Sequence, residues 1–360
     1  MATGLSLRVA IRGIPSGHFA GGRRCFSTAV PLAPSFGFYL AASFSAKGQF
    51  FDPSTHVFHF DGRRSRGRPA SGHDAFFVSR VSGSDAVAFG VADGVGGWVD
   101  SGVDPADFSH GLCNFMADAA ACSDSRPLTA RKLMAAGYDA LCRDGSVRAG
   151  GSTACVAIAS PDGIMDLANL GDSGFLQLRL NAVNAVSGPQ THAFNAPYQL
   201  SVIPPRMAAQ AAALGGSAPF RDLPRDADVS QHRLRHGDVL LLATDGLLDN
   251  LFHQDILHIA SRVMVSSGAW TLTQTEGVRV SESIDALVAT TEGKTLQSLL
   301  ATELVAAAKA ASVNVKIDGP FAKEAKRYYP NERWNGGKVD DICVVVAVVC
   351  EHSVRVKSSL

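Results

Sequence analysis

The chain has 360 residues, 46% of them hydrophobic and 18% charged, enough to bury one large core or two small ones. Its 33 basic and 33 acidic residues cancel, which excludes a nucleic-acid binder resting on bulk positive charge. The balance is uneven, because residues 1–51 hold Arg8, Arg12, Arg23, Arg24 and Lys47 and no acid, leaving the remainder five charges negative.

This acid-free stretch, which combines arginine with serine, has the composition of an organelle transit peptide followed by a basic tail. Arg24-Cys25-Phe26-Ser27 resembles a mitochondrial processing site, so the expected location is mitochondrial, in the matrix, with another organelle or the cytoplasm as the alternative. Residues 36–44 are apolar but too few for a membrane helix of about 20 residues, and no stable membrane insertion is expected. Residues 52–71 end in GRRSRGRPAS and read as a linker, with the folded domain expected over 72–352 and a short tail at 353–360.

Inside the domain, residues 75–81 and 86–92 are β-leaning runs around the turn Ser82-Gly83-Ser84-Asp85, a hairpin signal. Residues 105–122 and 129–142 repeat apolar side chains at spacings of three and four and read as amphipathic helices. Residues 152–159, 164–169 and 175–180 read as a three-stranded meander. A strand at 239–244 leads into a helix expected to run over 247–265, and a second helix is expected over 295–311. Between them, near 266–294, the polar, aperiodic composition reads as a surface insertion. Residues 342–349 form a closing core strand. Hairpins with helices inserted between them predict an α+β fold of antiparallel sheets covered by helices, not an alternating βαβ chain. Seven cysteines without a CxxC pair read as reduced thiols, with no cysteine-zinc site and no disulfide framework.

Chemistry enters through aspartates at the ends of apolar runs: GVADGVGGW (90–98), NLGDSG (169–174), LLLATDGLLDN (240–250) and VDDICVVVAVV (339–349). If strands deliver these acids to one place, like charges at about 4 Å repel by roughly 4 kcal/mol at an effective dielectric near 20. Such a site needs cations, and hard oxygen ligands select magnesium or manganese. The pattern points to a two-metal hydrolase.

DGVGGW (93–98), GSTA (151–154), NLGDSG, ATDGLLDN (243–250) and GGKVDD (336–341) resemble, in order and spacing, the metal-dependent Ser/Thr protein phosphatases, also called protein phosphatase 2C or PPM-type phosphatases. GVDPADFS (102–109), FNAPYQL (194–200) and GGKVDDI are similar to the mitochondrial branch of that family. The resemblance covers residues 72–351 and implies a central antiparallel β-sandwich flanked by helical layers. It implies that Asp93 bridges two divalent ions, that Gly94 offers a backbone carbonyl to the second, and that Asp245 and Asp340 bind the first. Asp74 corresponds to an acid acting through water, and Asp172 and Asp249, with Asp245, to a weaker third site. The implied cofactors are two Mg2+ or Mn2+ ions with room for a third. The implied substrates are phosphorylated proteins, cleaved at phosphoserine or phosphothreonine by a water activated between the ions, with no phosphoenzyme. Gly151 to Ala154 and Trp98 read as packing, and the chain as a monomer without a nucleic-acid partner.

The chain departs from the broad family in two ways. Val95 stands where a histidine often follows Asp-Gly, as in the mitochondrial branch, and His73 holds a position that is often acidic. The broad family's phosphate-holding arginine, shortly before the first acidic motif, has only Arg64, Arg66 and Arg68 of the glycine-rich linker as counterparts here, and none of them is assigned to the site. Two other readings compete: a scaffold that keeps the fold without activity, and a serine hydrolase using Ser173 of Gly171-Asp172-Ser173-Gly174. Retention of Asp93, Gly94, Asp245 and Asp340 weighs against the first, and the lack of a matching histidine motif against the second.

Overall fold

Successive side chains of a strand point to opposite faces, and the closing strand Ile342–His352 is apolar on both because it lies between two cores. Cys343, Val345, Ala347 and Val349 join one core; Ile342, Val344, Val346, Val348 and Cys350 join the other. Val239–Ala243 divides in the same way, Leu240 and Leu242 to the first core and Val239, Leu241 and Ala243 to the second. A third core receives Ala88 and Ala92, while Val87, Phe89 and Val91 of the same strand face the first. Two sheets are thus stacked face to face, each with helices on its outer side. This computed structural model describes residues 35–62, 68–122, 127–213, 220–275, 277–290 and 294–352.

One sheet has six strands in the order Val57–His59, Ser35–Ser45, Ile342–His352, Val239–Ala243, Gly174–Arg179 and Ala182–Val186. The other has five: Asp228–Arg233, Ile164–Leu170, Ala154–Ala159, Val87–Asp93 and Asp74–Arg80. Every pairing in both is antiparallel. Helices Pro105–Cys122 and Ala130–Asp144 cover the five-stranded sheet, and His253–Ser266 and Leu296–Ser312 cover the six-stranded one. The antiparallel sandwich with helical layers expected from the sequence is therefore present.

Five expectations need correction. Residues 1–51 are not all tail, because Ser35–Ser45 pairs with the closing strand over its full length, from Ser35 opposite His352 to Ser45 opposite Ile342. Leu40, Ala42 and Phe44 point into the core between the sheets, so the run too short to cross a membrane has the right length for a buried strand. The linker expected at 52–71 likewise contains an edge strand, Val57–His59. The expected transit peptide and its processing site fall in residues 1–34, and the expected C-terminal tail in 353–360, outside the described residues.

The meander also breaks. Ala154–Ala159 and Ile164–Leu170 form a hairpin, but Gly174–Arg179 belongs to the other sheet. The chain crosses between sheets at Gly171, whose φ of +103° is open to glycine, and where a Cβ would lie 2.7 Å from Thr153 Cγ2. The helix expected at 247–265 is two helices, Asp245–Leu248 and His253–Ser266, because the Asp255 carboxylate accepts the Phe252 N–H and starts a second helix there. The insertion near 266–294 is anchored, not merely superficial. Trp270, in the hairpin Trp270–Thr273 and Gly277–Val280, is fully buried and donates from Nε1 to the Gly237 carbonyl at 3.2 Å. Ile284 and Val288 of the short helix Ile284–Ala289 enter the same core.

The placement of Ser35–Ser45 generates a prediction. Deleting residues 1–34 should leave a protein with a cooperative melt, whereas deleting residues 1–51 exposes one side of the closing strand and should abolish the cooperative transition. Circular dichroism melts of the two truncations check it; equal melting temperatures would contradict the burial of this strand.

Candidate functional site

The aspartates meet because strand register puts them at one end of the two sheets. Asp74 opens one strand of the five-stranded sheet and Asp93 closes its neighbour, and the two are paired directly across the ladder. In the other sheet, Ala243 lies opposite both Val344 and Gly174, so Asp245, Asp340 and Asp172 flank the same end. Asp93, Gly94, Asp172, Asp245 and Asp340 line one cavity of about 430 Å³, together with Lys47, His73, Val95, Lys338 and Asp341.

Backbone clamps hold the acids in place. Asp93 N–H donates to Thr153 Oγ1 at 3.0 Å, and its carbonyl accepts from Ser152 Oγ at 2.8 Å and Thr153 N–H at 2.9 Å. The GSTA segment read as packing thus fixes the bridging candidate. Gly94 N–H donates to the His73 carbonyl at 3.1 Å. Thr244 Oγ1 donates to Asp74 Oδ2 at 2.7 Å and accepts the Cys343 N–H at 2.9 Å, tying the first acid to the strands that carry the others. Gly246 allows the 340–341 segment to approach, since a Cβ there would overlap the Asp341 carbonyl oxygen.

Three groups that sequence reasoning left out complete the site. Lys338 Nζ lies 2.6 Å from Asp245 Oδ2, 2.7 Å from Asp249 Oδ2 and 3.1 Å from Asp340 Oδ2. Its backbone is pinned by Asn250, which accepts the Lys338 N–H at 2.9 Å and donates to the Lys338 carbonyl at 2.8 Å. Asp341 accepts N–H groups from Lys47 at 2.6 Å and His73 at 2.9 Å, while Lys47 Nζ lies 3.5 Å from Asp340 Oδ1. The signal for Lys338 and Asp341 was in plain view in GGKVDD. Lys47 could not be read, because it had been assigned to the tail.

Crowding shows in the acid–base properties. Burial, then the neighbouring Asp245, Asp74, Asp172 and Asp340, pushes Asp93 well above the ordinary carboxylate range. Burial and Asp341 do the same to Asp74. Burial followed by Asp245 and Asp249 pushes Asp172 up to about 8. Asp249 is pushed up to about 7, its burial outweighing the ammonium beside it. Burial alone would lower Lys338, but Asp245, Asp249 and Asp340 together raise it, so it stays charged.

Among the described residues no three His, Cys, Asp or Glu side chains stand ready as a coordination shell. The Lys338 ammonium sits among three of the carboxylates. The donor set still fits a hard divalent cation. It is all oxygen, and Asp74 Oδ1 and Asp172 Oδ1 are buried carboxylate oxygens with no hydrogen-bond partner. The buried free thiols Cys113, Cys155, Cys343 and Cys350 are packed in the cores. Arg68 is spent elsewhere, pairing with Asp104 at 3.0 Å and Asp107 at 3.1 Å, and Arg64 and Arg66 lie outside the described residues. Ser173 is buried and shares a hydrogen bond of 2.8 Å with Thr153 Oγ1, with no imidazole as its partner among the described residues.

No family model matches the chain. It is 36% identical over 291 residues to "Protein phosphatase PTC7 homolog fig" of Drosophila simulans, covering 81% of this chain and 80% of that protein. It is 33% identical over 287 residues to "Protein phosphatase 2C homolog 7, mitochondrial" of Saccharomyces cerevisiae, covering 78% and 75%. A solved structure, of the photosystem II phosphatase PBCP, shares the fold with a TM-score of 0.59 at 24% identity, over 87% of this chain and 98% of that one.

Two predictions follow from the charges. Replacing Lys338 by Met leaves three carboxylates without their shared cation and should lower metal-free stability by about 3 kcal/mol, read from urea unfolding in EDTA. An unchanged midpoint would show that the ammonium does not neutralise the cluster. Asp172 and Asp249 are raised in the folded state, so the folded protein keeps protons that the unfolded chain releases. That stabilisation is complete below about pH 4 and is lost as pH rises through about 7 and 8. The unfolding midpoint in EDTA should therefore fall across this range, and Asp172→Asn should flatten its upper part.

Proposed function

The chain belongs to the metal-dependent protein phosphatase family, protein phosphatase 2C, and is a protein serine/threonine phosphatase resembling its mitochondrial branch; we propose that the acidic pocket is its catalytic centre. The observation that carries this reading is the convergence of Asp93, Asp172, Asp245 and Asp340 on one cavity with Lys338 among them. In this reading Asp93, the Gly94 carbonyl, Asp245 and Asp340 would hold two Mg2+ or Mn2+ ions, with Asp74 contributing through water and Asp172 and Asp249 available to a weaker third ion.

The ions, when bound, neutralise phosphoryl oxygens and acidify water. The remaining work falls to the chain. Serine, threonine and cysteine are absent from the described lining of the cavity, so a phosphoenzyme on a hydroxyl or thiol has no acceptor there; the proposed route is direct hydrolysis by water. With Val95 offering no proton, the titratable groups of the lining other than carboxylates are Lys47, His73 and Lys338. Arg68 is paired with Asp104 and Asp107 and Lys338 with three of the acids, which leaves the Lys47 ammonium, 3.5 Å from Asp340 Oδ1, as the lining cation least engaged and the one to attract a phosphate dianion.

The substrates are phosphoproteins carrying phosphoserine or phosphothreonine, and the protein works as a monomer. Delivery to mitochondria is supported by the acid-free N-terminus and by the name of the yeast relative, and the matrix is the compartment proposed. In the proposed organisation a transit peptide ends near Phe26 and the phosphatase domain begins at Ser35, not at residue 72. Among the described residues no helix is long and apolar enough to cross a membrane.

Phosphate release from a phosphothreonine peptide should require added magnesium or manganese and stop in EDTA. Asp93→Asn should lower turnover by about a hundredfold or more at saturating manganese. Its metal-free form should melt no lower than the wild type, because one member of a repulsive cluster is gone. Near-normal turnover of Asp93→Asn would sink the assignment, and so would loss of activity traced to unfolding in the metal-free state.

A further inference from the structure

A second cavity, of about 350 Å³, opens beside the acidic one and shares Asp172 and Asn195 with it. Asp249, which holds Lys338, also lines it. Its character is different. Phe194, on the turn between the short strands Thr191–Ala193 and Ala196–Pro197, meets Phe321 and Tyr328 of the helix Pro320–Tyr328, each with ring centroids 5.2 Å away. These three rings line the cavity.

The aromatic wall is fastened to the acidic centre itself. Phe321 N–H donates to the Asp249 carbonyl at 3.1 Å, and Lys338 Nζ lies 4.9 Å from the centroid of the Phe321 ring. One aromatic ring therefore borders both the ammonium that faces the acids and the apolar cavity next door. Yet the wall is incompletely covered: Tyr328 is 57% exposed. Phe194 and Phe321 are half-buried, and aromatic rings grouped around a concavity with one of them open to solvent suit recognition of a partner side chain, since each offers a large apolar area at little conformational cost.

We propose that this cavity is a substrate subsite that takes one large apolar or aromatic side chain of the phosphoprotein, a few residues along the chain from the phosphorylated serine or threonine. The proposal rests on the acidic pocket being the catalytic centre. Shared residues make the two cavities neighbours, so a chain with its phosphate over the aspartates would run past Asn195 and Asp172 to reach the rings. At about 3.3 Å per residue, an extended substrate spans neighbouring cavities within a few positions. Selection then comes from the residue beside the phosphate as well as from the phosphate.

The test uses phosphothreonine peptides in a glycine-serine background with one phenylalanine moved stepwise through the flanking positions, measuring kcat/KM by phosphate release in manganese. One position should exceed the all-background peptide by roughly tenfold to a hundredfold, the discrimination that burial of one large apolar side chain affords. In Phe194→Ala and, separately, Tyr328→Ala, that ratio should fall towards one, each variant referred to its own background peptide so that a general loss of activity cancels. A flat phenylalanine scan in the wild type, or a ratio that persists in both variants, overturns the subsite while leaving the catalytic centre intact. Failure to release phosphate from any of these peptides or from p-nitrophenyl phosphate would overturn the catalytic reading and the subsite with it.

Discussion

Mutual repulsion among aspartates gathered at one end of two sheets is the constraint from which the rest of this site follows. Asp93, Asp172, Asp245, Asp340 and Asp341 border a single cavity, and Asp74, buried, is paired across the ladder with Asp93. Acids taken out of water and set against one another are costly unless protonated or matched by cations. Both responses are visible. Asp74, Asp93, Asp172 and Asp249 hold their protons more tightly than ordinary carboxylates, and the Lys338 ammonium is shared by Asp245, Asp249 and Asp340. In the proposed reading, a divalent ion bound in this cluster would take the place of both the protons and the ammonium.

The sandwich is what makes such crowding tolerable. The strands carrying the acids are buried on both faces, so their ends cannot splay apart without opening a core. Small polar side chains then set each acid individually: Thr153 and Ser152 on the backbone of Asp93, Thr244 on Asp74, and Asn250 on the backbone of Lys338. These clamps come from segments distant in sequence. They can act together because antiparallel registry, from Asp74 opposite Asp93 to Ala243 opposite Val344, brings those segments to a common edge.

The sequence was most legible where one local pattern settled the outcome. The helices Pro105–Cys122 and Ala130–Asp144, the hairpin ending at Asp93 and the two-sided strand Ile342–His352 could be read from period and composition. Less legible were features set by distant partners. Ser35–Ser45 is a core strand only because the chain's last strand lies beside it, and its basic surroundings resembled a leader. Gly174–Arg179 changes sheets at a glycine whose conformation no periodicity reveals. Trp270 anchors a segment that is otherwise polar. In the site, Asp93, Asp172, Asp245 and Asp340 stand at the ends of apolar runs and Asp74 and Asp249 follow from the family resemblance, whereas no pattern marks Lys338. Its role appears only when Asp245, Asp249 and Asp340 surround it.

The central claim is that this aspartate cluster is a divalent-cation site whose charge is balanced by Lys338 when no metal is bound. Crystals of the protein soaked in manganese, with diffraction recorded near the manganese absorption edge, test it most directly. The account predicts anomalous density beside Asp93, Asp245 and Asp340, with the Lys338 ammonium withdrawn from Asp245. Absence of anomalous density there at saturating manganese, with Lys338 still bound to all three carboxylates, would contradict it.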